Sequence, residues 1–79
     1  MEVVSVVCEG NVIRVLRRDG KEVILSIPPE ALHMRKDIAD RIGAVSRATD
    51  ECPCGIELVH GVVSLRFERT EVSLLLVAL

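Results

Sequence analysis

Apolar residues along this chain fall into short β-like runs on either side of one stretch with helical spacing. The first run, Glu2 to Cys8, reads E-V-V-S-V-V-C, the near-continuous valine of a strand covered on both faces. Glu9, Gly10 and Asn11 supply a turn. Val12 to Arg18 forms a second strand and ends at Asp19-Gly20, a dipeptide that predicts a type I′ hairpin. Lys21 to Ile27 completes a meander and stops at Pro28-Pro29, where ladder donors are missing.

The period then changes from two to between three and four. Ala31, Met34 or Arg35, Ile38, Ile42 and Val45 recur at helical spacing, while Asp37, Asp40, Arg41 and Arg47 fill the opposite face. This predicts an amphipathic helix from about 29 to about 47, with Pro29 in its first turn, Glu30 at the positive end of its dipole and Gly43 weakening or bending its last turn. Thr49 to Gly55 reads as a polar loop, and Ile56 to Val59 as a short strand ending at His60-Gly61. Val63, Leu65 and Phe67 alternate with Ser64, Arg66 and Glu68, the pattern of a half-exposed strand. A turn at Arg69 to Glu71 leads into a last strand, Val72 to Leu79.

The fold class is therefore α+β: two three-stranded β-meanders flank one amphipathic helix, in the order βββ-α-βββ, within a single domain spanning 1-79. The two halves share strand count without an alignable repeat. At 79 residues the core has to be economical, and with Phe67 as the sole aromatic it is built from Val, Leu and Ile.

Composition narrows the partners. Twelve acidic and ten basic residues give a net charge of -2, so no global field draws nucleic acid or an anionic membrane. The longest terminal apolar run, Leu74 to Leu79, is far shorter than a bilayer-spanning segment, and Met1-Glu2-Val3 does not open a secretory signal, so a cytoplasmic location is the expectation. An L-L-L-V-A-L strand without charge or proline invites pairing. A homodimer or higher homo-oligomer, formed by sheet extension or strand exchange, is the expected state.

Candidate chemistry is sparse. Cys52-Pro53-Cys54-Gly55 places two thiols in a Pro and Gly segment, with His60 six residues on, and these three are the candidate zinc ligands, with Cys8 and His33 as further donors. The same thiols also read as structural, or as a thiol-redox set in which Cys8 pairs with a loop cysteine. Arg14, Arg17, Arg18 and Lys21 cluster on the first hairpin and are the candidate nucleic-acid-binding residues, diluted by Glu9, Asp19 and Glu22. His33, with Glu30 and Asp37 at helical spacing, reads as a surface ion pair. No nucleophile elbow, phosphate loop or metalloprotease motif is present, so an enzyme is not expected.

The stretch I-L-S-I-P-P-E, Ile24 to Glu30, followed by a helix with Arg35 and Ile42-Gly43, resembles the strand, Ile-Pro and helix start of swapped-hairpin transcription factors and antitoxins. The later G-I-E-L-V-H-G-V-V-S-L-R-F resembles their second hairpin. That resemblance implies an intertwined DNA-binding dimer. The helix is longer than the family's, extra strands precede it, and the cysteine segment has no counterpart. Three functions follow in order: a non-enzymatic, self-associating protein-protein interaction module; a DNA-binding regulator or antitoxin-like dimer; and a Cys/His metal or thiol-redox protein.

Overall fold

The computed structural model describes residues 2–78. Two antiparallel meanders flank a single helical segment, as the hydrophobic pattern predicts. The first is β1 (Val3–Glu9), β2 (Val12–Arg17) and β3 (Glu22–Ser26), in that sheet order. A 3-10 turn of helix (Pro29–Met34) runs into α1 (Arg35–Thr49). The second meander is β4 (Pro53–Val59), β5 (Val62–Phe67) and β6 (Glu71–Leu75), again in sequence order. No helix among the described residues is long and apolar enough to cross a membrane.

Alternation along the strands separates the two faces of each sheet. Ile13, Val15 and Leu25 from the first sheet, and Val63, Leu65 and Phe67 from the second, point inward and are buried. Ala31, Met34, Ile38 and Ile42 of the helical segment are buried in the same core, at the spacing that the sequence predicts. The segment begins as a 3-10 helix, with Ala31 N–H donating to the Pro28 carbonyl at 2.9 Å. Residues three apart eclipse in a 3-10 helix, which brings both Ala31 and Met34 onto the core side.

The end of the helix differs from the expectation. Gly43 is buried and does not end the helix, which continues to Thr49. Asp50 then closes it in the left-handed region, at φ 56°, where its amide donates to the Ser46 carbonyl at 2.8 Å. Aspartate tolerates this conformation better than most residues, so it substitutes for the usual glycine. Its carboxylate also accepts from the Glu2 amide at 2.7 Å, tying the start of β1 to the end of α1.

Two meanders without recognisable sequence similarity share one register. Val3 pairs with Arg17 and Ser5 with Leu16; fifty residues on, Pro53 pairs with Phe67 and Gly55 with Arg66, with the same bulge between the pairs. After the third strand, Ile27 N–H reaches the Asn11 carbonyl (2.9 Å) as Leu76 N–H reaches that of Gly61 (2.8 Å). Buried positions coincide as well, Ile13 with Val63 and Val15 with Leu65. The repeat lies in apolarity and bulge position rather than residue identity.

The turns depart from the dipeptide rules. Asp19-Gly20 is not a type I′ pair, because only Gly20 has a positive φ (87°). Gly20 N–H donates to the Arg17 carbonyl at 3.0 Å, giving a turn through Arg18 and Asp19 followed by a left-handed glycine. Type I′ geometry belongs instead to His60-Gly61, with φ of 50° and 75°. Histidine is an unfavourable occupant of that position, where Asn and Gly predominate. His60→Asn is therefore expected to raise stability by about 0.5 kcal/mol, and Gly61→Ala to lower it by about 1 kcal/mol, in urea denaturation.

Candidate functional site

Exposed apolar residues occur on both meanders, Val4, Val7, Leu16 and Ile24 on the first and Val59, Leu75 and Val77 on or just after the second, and the most exposed of these is Leu75 at the end of β6. This strand is an edge of its sheet, paired only with β5. Leu75 is 77% exposed and Val77 60%, and Val59 beside Val62 continues the patch across the outer face. From Val72 to Ala78 the chain carries no charge and no proline to blunt the edge. The stretch beyond Leu75 leaves the sheet and docks on the helical segment: Val77 N–H points to Met34 Sδ at 3.4 Å, and His33 Nε2–H donates to the Val77 carbonyl. The predicted strand to Leu79 is thus shorter, and residue 79 lies outside the described residues.

His33 serves that anchor rather than an ion pair with Glu30 or Asp37. A groove of 480 Å³ runs between α1 and β6, walled by Met34, Ala44, Leu74, Leu75 and Val77 and rimmed by Asp37, Asp40 and Arg41. Met34, Asp37, Arg41 and Ala44 already stand at helical spacing in the sequence, which was the available signal for this wall. What the sequence could not supply was the return of the chain end across it.

The basic residues of the first hairpin do not share a face. Arg14 lies on the outer side with Val7 and Ile24, where it pairs with Glu22 at 2.6 Å and Glu9 at 3.3 Å. The Glu22 hydrogen bond, followed by its charge, raises the Arg14 pKa further above its ordinary value. Arg17, on the other side opposite Val3, pairs with Glu2 (3.2 Å) and Asp19 (3.3 Å). Arg18 and Lys21 are exposed near the tip. Two of the four candidate phosphate ligands are therefore already matched by carboxylates on or beside the first meander.

The candidate zinc ligands are drawn apart. The segment read as a loop is largely strand: Pro53 opens β4 as a buried first residue, a position where proline forfeits no ladder bond. Cys52 is buried, Cys54 is exposed with its thiol 3.5 Å from the Phe67 carbonyl, and His60 sits in the turn at the far end of β4. Six extended residues place that turn about 20 Å from Cys54. Among the described residues no group of three His, Cys, Asp or Glu side chains is placed to hold a metal ion. Burial, which outweighs the nearby Arg17 charge, pushes the Cys52 thiol above its ordinary pKa, favouring the neutral thiol over the reactive thiolate.

Comparison with protein families, with curated proteins and with solved structures finds none that matches this chain. The geometry carries the functional reading by itself.

One buried charge has a structural role. Glu51, only 4% exposed, accepts from the Thr70 hydroxyl at 2.7 Å and the Arg69 amide at 2.6 Å, pinning the β5–β6 turn to the connection after α1. The Thr70 hydrogen bond, then that from Arg69, lowers the carboxyl pKa below its ordinary 4.5 against the opposing effect of burial. Because the folded-state value is depressed, the stabilisation is complete above the unfolded value and disappears as pH falls through the folded one. Glu51→Gln is expected to lower the Tm by several degrees at pH 7. Thermal melts should show the gap to the parent narrowing below pH 4.5; a gap independent of pH would contradict this role for the charge.

Proposed function

We propose that this chain is a non-enzymatic assembly module that pairs with a second copy of itself through β6 and presents the joined structure to a larger protein partner. The observation that carries the reading is the unprotected edge of β6, with Leu75 77% exposed. Open edges of apolar strands offer unpaired amide and carbonyl groups together with desolvatable side chains, and natural domains normally guard them with lysine, proline or a covering element. Here the docked segment 76–78 turns onto Met34, and among the described residues β6 has no strand on the side away from β5.

Antiparallel pairing of β6 with its copy would join the two second sheets into one and bring Leu75 of each chain toward the junction. Such an interface is isologous and closes as a dimer. Amide hydrogen exchange tests it. The β6 amides that face away from β5 should exchange slowly at high protein concentration and quickly on dilution, while those of β2 stay protected throughout. Concentration-independent fast exchange at β6 would remove the proposal.

A further inference from the structure

We propose that the groove between β1 and α1 binds an extended, acidic peptide segment, added as a strand along the outer edge of β1. β1 is the outer strand of its sheet, with β2 on one side only, so its remaining amide and carbonyl groups have no strand beside them. Four consecutive residues of that strand, Val3 to Val6, form one wall of a cavity of 270 Å³. The other wall is a stripe of α1. Ala39, Gly43 and Ser46 are small and stand three or four residues apart, which keeps the helix surface low and the space beside the strand open.

One polar group at the groove is buried without a partner. Ser46 is 1% exposed, and its Oγ has no hydrogen-bond partner. A buried hydroxyl without a partner is costly, and a ligand group reaching it would relieve that cost. Arg47 folds back over Gly43, with a guanidinium nitrogen 3.3 Å from where a β-carbon at that glycine would lie. None of the ion pairs among the described residues involves Arg47 or Asp40.

The direction of the ligand follows from the Glu2 to Asp50 hydrogen bond, which sets the start of β1 against the end of α1. Val3 therefore lies toward Ser46 and Arg47, and Val6 toward Asp40. An acidic side chain of the ligand belongs at the Arg47 end, where its oxygens meet both the guanidinium and the Ser46 hydroxyl. Asp40, two helical turns away, or about 10.5 Å, accepts from an N–H or a basic group roughly three extended residues further along. A row of strand amides beside a helical wall recognises a peptide main chain, while the charges choose its side chains. The bulge between Val3 and Ser5, which leaves Val4 61% exposed, offers the peptide an apolar contact at the mouth of the groove.

The test is selection of displayed random heptapeptides on the immobilised full chain, with Arg47→Glu as the second target. Wild type should enrich β-branched sequences carrying Glu or Asp, and Arg47→Glu should enrich Lys or Arg at that same place. Ser46→Ala should equal or exceed the parent in Tm, because the unpartnered hydroxyl is gone, and bind the selected acidic peptide at least fivefold more weakly. Amide shift changes on titration should be confined to residues 3–6 and 39–47. Failure to enrich any sequence, or recovery of the same acidic peptides on Arg47→Glu, would overturn the proposal. So would a dimer whose β1 amides are already protected without peptide, which would assign the groove to a second copy. The site is independent of β6: Leu75→Lys should retain peptide binding, so failure at one surface is distinguishable from failure at the other.

Discussion

Truncating Ile42 to alanine is expected to remove about 2–5 kcal/mol of folding free energy, the range found when a fully buried aliphatic side chain leaves a cavity. Ile42 has no exposed surface and stands on the helix face shared by the inner sides of both sheets. A domain of this size has roughly 4–12 kcal/mol in total, so the loss is a large fraction of what holds the fold. In thermal denaturation it corresponds to a Tm drop of more than about 10 °C. Arg41→Ala, one position away and exposed, should change stability by less than about 0.5 kcal/mol. Similar losses for the two variants in urea titrations would mean that the helix is not seated as described.

Replacing Leu75 with lysine is expected to have the largest effect on association. In the proposed dimer the side chain leaves water at one end of the joined strands, and its counterpart does so at the other end. A lysine there places a charge that must be desolvated at each end of the ladder and removes the apolar contact from both. An interface residue of this kind contributes about 2–4 kcal/mol, a weakening of roughly thirtyfold or more in Kd. Stability of the isolated chain should change little, since Leu75 is largely exposed within it. Sedimentation velocity on parent and variant over the same concentration range would read this directly, and an unchanged profile would count against β6 as the contact.

The fold was legible in the sequence where side-chain period decided the structure. Alternation at Val63, Leu65 and Phe67 and the helical recurrence of Ala31, Ile38 and Ile42 place residues that are all buried. It was less legible where backbone geometry decided. Cys52-Pro53-Cys54-Gly55 has the composition of a loop, yet a proline at the first residue of an edge strand is harmless, and β4 begins there. Asp19-Gly20 has the signature of a two-residue turn, but Arg17 N–H bonds to the Lys21 carbonyl and encloses three residues, Arg18 to Gly20, of which only the glycine is left-handed.

The common register of the two meanders was hidden for a related reason. Val12 and Val62 coincide, but Val7 matches Glu57, Arg14 matches Ser64 and Arg17 matches Phe67. A sheet constrains which face is apolar and where the bulge falls, and it leaves the outer face free to vary. The candidate sites fared differently. The apolar terminal strand was visible as a run of leucines, whereas the groove at β1 depends on Gly43 and Ser46. Their significance appears only when the helix is laid beside an edge strand. For Cys52, Cys54 and His60, proximity in sequence did not become proximity in space, because an extended strand separates its ends as far as a chain can.

Self-association through β6 is the central claim, and light scattering coupled to size exclusion, run from low to high protein concentration at two salt concentrations, tests it most directly. The account predicts a dimer mass that persists in high salt, because the contact is apolar, and that falls to the monomer mass for Leu75→Lys under the same conditions. A monomer mass for the unmodified chain at every concentration, or a dimer that Leu75→Lys leaves intact, would contradict it.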